Sequence, residues 1–117
     1  MYVEKGELLY RKFQSSAQEP VRLELALQGY FLDEIAETPK QTFESYLKRR
    51  IRPAAEALLK ADDLPRLQRL ADLGWLDASV VDSCLDAAIR LKKTEAFVWL
   101  LGLKAEQFGF PDRNLEL

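Results

Sequence analysis

Residues 84 to 104, CLDAAIRLKKTEAFVWLLGLK, read as the end of one helix, a tight polar turn, and the start of a second helix that is apolar almost all round. A helix apolar on most sides has to be buried on most sides. The neighbouring segments are therefore expected to exist largely to cover this one.

Working back from Cys84, the spacing predicts a helix opened by Asp77, whose carboxylate can accept from an exposed backbone NH. Val80, Val81, Cys84, Leu85, Ala88, Ile89 and Leu91 are placed inward, and Lys92 and Lys93 form its positively charged end. Upstream, Asp62 and Asp63 supply capping oxygens to a short helix through Leu64, Leu67, Leu70, Ala71 and Leu73 that stops at Gly74. PAAEALLKA, residues 53 to 61, is alanine-rich and strongly helix-forming. Downstream of Thr94 the last helix runs through Phe97, Leu100, Leu101 and Lys104. Residues 105 to 117 hold Gly109 and Pro111 and read as an irregular capping tail, with Phe108 and Phe110 folding back onto the core.

In the first half, Thr38, Pro39 and Gln41 read as a helix start with a capping-box partner, and the helix continues to about Arg50 through Phe43, Tyr46 and Leu47. Val21 to Tyr30 fits a helix with the stripe Leu23, Leu27, Tyr30 and Phe31, although its first residues also alternate as a strand would. Gly29 costs about 1 kcal/mol in a helix interior, so it can also mark the helix end, with Phe31 to Glu37 adding one or two turns. Residues 1 to 19 are the least determined; a short helix from about Gly6 to Gln14 suits Leu9 and Phe13.

With 117 residues, 48% hydrophobic and 31% charged, the chain has the composition of a globular protein and the length of one domain. A net charge of −2 provides no general attraction to nucleic acid or anionic membrane. The single cysteine suits a reducing compartment. MYVEKGELLYRKF lacks a signal-peptide core and no apolar run nears the roughly 20 residues of a membrane span. A cytoplasmic protein with no membrane partner is expected.

Shifting the chain by 30 residues aligns Ala57 with Ala87, Leu70 with Leu100 and Leu73 with Leu103, and pairs Glu56 with Asp86, Leu59 with Ile89 and Lys60 with Arg90. Such a period implies helix pairs that bury their apolar faces on one another. From Pro53 to Lys104 the residues resemble a degenerate ankyrin repeat. Leu85, Ala87 and Ala88 are similar to the end of its first helix, and Thr94, Glu95, Ala96, Phe97, Trp99, Leu100 and Leu101 to its second, with Leu67, Leu70 and Gly74 similarly placed one unit earlier. Ser83 and Cys84 stand where the Thr-Pro-Leu-His opening would be, and the long finger is reduced to Trp75 to Ser79. The region from Thr38 onward also looks like small bacterial helical-repeat proteins. The expected fold is a single all-α domain of about six helices, with stacked antiparallel hairpins, ankyrin-like, in the C-terminal half.

Chemistry is sparse. With no histidine, a Ser/His/Asp or Cys/His pair cannot form; Cys84 reads as a buried small hydrophobe. No glycine motif cradles phosphate. Asp33, Glu34 and Glu37 read as a solvated face, Asp62 and Asp63 as caps, and Asp82 and Asp86 as neighbours one turn apart. No catalytic residue, metal ligand or cofactor is expected. Trp75, Tyr46 and Trp99 are the aromatic candidates for a partner surface, since aromatics dominate binding energy where they are accessible; Trp99 reads as core and Trp75, in a loop, as reachable. Lys48, Arg49, Arg50 and Arg52 form the one concentrated basic patch. The expectation is non-catalytic protein recognition around Trp75 and the concave side of the helix pairs, with a small nucleic-acid-associated regulator using Lys48 to Arg52 as the alternative.

Overall fold

Leu9 and Phe13, one turn apart, bury the inner face of the first helix, α1 (Lys5–Ser15). The computed structural model describes residues 4 to 109, and among them the chain is all helical: α2 (Glu19–Tyr30), α3 (Glu37–Arg49), α4 (Ile51–Lys60), α5 (Leu64–Asp72), α6 (Ala78–Arg90) and α7 (Thr94–Gln107). Each of the seven coincides with a segment read as helical from the sequence. None of the seven is long and apolar enough to cross a membrane. Phe110 and the rest of the expected tail lie outside the described residues; Phe108, within them, is exposed rather than folded onto the core.

Two compact units divide the chain, Met1–Ala54 and Ala55–Leu117. In the first, α2 packs against both α1 and α3. Edge-on aromatics lock α1 to α3. The Phe13 ring meets Phe43 at 5.3 Å and Tyr46 at 4.9 Å, each close to perpendicular, the arrangement that sets a ring edge against a neighbour's π face. Gly29, near the end of α2, is buried against the Phe43 ring, and a Cβ there would collide with it. Close approach therefore explains this glycine. Helix α2 ends at Tyr30, and Leu32 to Ala36 form a loop instead of the further turns expected.

The start of α3 also differs from expectation. Ala36, in extended backbone, is its N-cap, and no side chain caps it. Thr38 lies inside the first turn, where its carbonyl accepts from the Thr42 hydroxyl, and Gln41 donates to the Glu37 carboxylate. Pro39 remains tolerated, because the first turn's NH groups have no helical acceptor.

In the second unit Asp63, Asp77 and Gly74 act as read from the sequence. Asp63 accepts from the Arg66 NH and Asp77 from the Val80 NH, and Gly74 takes a left-handed φ of 80° after α5. Asp62 is not a cap; it sits in the preceding turn and pairs with Lys93 at 2.9 Å. The core is built from Leu58, Leu59, Leu67, Leu70, Val81, Cys84 and Leu100.

The 30-residue offset reappears in the backbone. Asp62 and Lys92 carry positive φ of 57° and 59°. Around them, Asp62 NH donates to Leu59 O and Asp63 NH to Leu58 O, and thirty residues on Lys92 NH donates to Ile89 O and Lys93 NH to Ala88 O. One turn, closed by the same pair of hydrogen bonds, joins α4 to α5 and α6 to α7.

Candidate protein-binding surfaces

Of the aromatic and basic candidates in the first unit, Tyr46 and Arg50 meet in one polar cluster. Tyr46 faces inward from α3 and is buried, so it is not available as a surface anchor; its ring is committed to Phe13. Its hydroxyl donates to Glu19 at 2.5 Å. Arg50 reaches the same carboxylate with two nitrogens, at 3.0 and 3.2 Å, and its guanidinium lies 4.3 Å from the Tyr46 ring centre. Arg22 donates to the carbonyls of Phe13 and Ser16 while lying over the Phe13 ring.

The Tyr46 hydrogen bond, followed by Arg50, holds the Glu19 carboxyl below its ordinary 4.5. Burial, reinforced by the Glu19 charge, pushes the Tyr46 hydroxyl above 10.0. Arg50 is thus a structural tie between the start of α2 and the end of α3. Lys48 pairs with Glu44 at 2.8 Å. Arg49 and Arg52 are exposed, but the patch carries less uncompensated charge than its sequence implies.

Trp75 is half-buried in the turn after Gly74. Its NH closes α5 by donating to Leu70 O, and Leu76 beside it is buried. Trp99, expected in the core, is half-buried on α7.

The surface that sequence reading missed lies on α6 and α7. On α7 only Ala96, Leu100 and Leu103 are buried; Val98 is 62% and Leu101 37% exposed, so this helix is not covered on most sides. Ile89, placed inward from its spacing, is 61% exposed. The physical reason is angular. The buried face of α6 centres on Val81, Cys84 and Ala88, and Ile89 stands about 100° further round. Ile89 and Phe97 line one open depression of about 370 Å³ with Ala88, Lys92, Lys93 and Thr94. Leu101 follows Phe97 by one turn, and the Lys104–Asp82 ion pair, at 2.8 Å, joins the two helices beyond it.

The repeat shows what this face corresponds to. Thirty residues earlier, Leu59, Leu67 and Ala71 stand where Ile89, Phe97 and Leu101 do, and they are 2%, 0% and 7% exposed. Glu56, on the same face of α4 as Leu59, pairs with Arg90 of α6 at 3.2 Å. Asp86 holds the equivalent place beside Ile89 and is exposed. The signal was present in the sequence as an apolar residue at each equivalent position of the last unit.

Among the described residues, no group of three or more His, Cys, Asp or Glu side chains could hold a metal ion. Compared with family models, with curated proteins and with solved structures, the chain matches none of them.

Proposed function

We propose that this chain is a non-catalytic protein-interaction module whose second unit is a short stack of ankyrin-like helix pairs, binding through the outer face of α6 and α7. One observation carries the reading: Ile89 and Leu101 are exposed and Phe97 is half-buried where their equivalents thirty residues earlier are buried. A repeat unit that presents its stacking face to solvent offers a partner apolar area already shaped for helix packing. In this reading the binding surface is the last helix pair rather than the surroundings of Trp75. The nucleic-acid alternative is weaker, because Glu19 and Glu44 compensate Arg50 and Lys48 and phosphate binding depends on uncompensated cations.

The test is affinity capture from the source cell. The intact chain is expected to retain a protein that Leu101→Asp loses and Trp75→Ala keeps. Equal retention by the Leu101→Asp chain would place binding elsewhere.

A further inference from the structure

We draw no further inference here: the strongest candidate, the apolar surface patch of Ile89, Val98 and Leu101 on α6 and α7, belongs to the face already described, and nothing in the structure shows what covers it.

Discussion

Gly29 reverses the usual ranking of residues in a helix. Intrinsic propensity favours alanine over glycine by about 1 kcal/mol, yet a methyl at this position meets the fully buried Phe43 ring, which edge contacts with Phe13 and Tyr10 hold in place. Gly29→Ala is expected to destabilise the chain by about 1–3 kcal/mol, the range of core overpacking, on urea titration; a gain in stability would mean that the ring yields. The Glu19–Tyr46 pair acts at the pH extremes. Because the Glu19 pKa is lowered in the fold, its contribution is present above 4.5 and lost as pH falls through the folded value; because that of Tyr46 is raised, its contribution is present below 10.0 and lost as pH rises through the folded value. The melting temperature should therefore decline at both ends. Glu19→Gln should flatten the acid limb, and an unchanged limb would assign acid sensitivity to other carboxylates.

At the scale of the helix, α7 sets two leucines of the same kind in opposite situations one residue apart. Leu100 is fully buried and Leu101 is partly open, so Leu100→Ala should cost about 2–5 kcal/mol and Leu101→Ala about 0.5 kcal/mol or less. Similar losses at both positions in denaturant titration would show that the outer face of α7 is covered. This contrast marks the limit of periodicity as a guide. The capped helices were legible because Asp63, Asp77 and Gly74 act locally, through hydrogen bonds and backbone angles that need no neighbour. Ile89 and Leu101 were read as core because helical spacing reports which residues share a face and carries no information on whether anything lies opposite. The start of α3 was misread for a related reason. Thr38, Pro39 and Gln41 compose a valid cap on paper, but Glu37 offers Gln41 a side-chain partner within the helix, and the chain begins its turn earlier.

For the molecule as a whole, each compact unit has its own apolar centre: Phe13, Leu27, Phe43 and Leu47 in one, Leu67, Leu70, Val81 and Leu100 in the other. Hydrogen exchange read by mass spectrometry should follow that division. Phe43→Ala is expected to speed exchange mainly in α1 to α3, and Leu100→Ala mainly in α5 to α7; a uniform rise from either would mean that the two centres open as one. The candidate sites divided along the same line. The basic patch and Tyr46 were recognisable by residue type, but their commitment to Glu19 comes from a residue about thirty positions distant, which no local pattern announces. The turns at Asp62 and Lys92 have one more implication. Since both joints hold the same angles and the same hydrogen bonds, the residues from 63 to 92 behave as a cassette whose two ends already match. A spliced duplicate would meet its neighbours at junctions the chain has solved once, which makes this unit extensible by copying, with no new loop to invent.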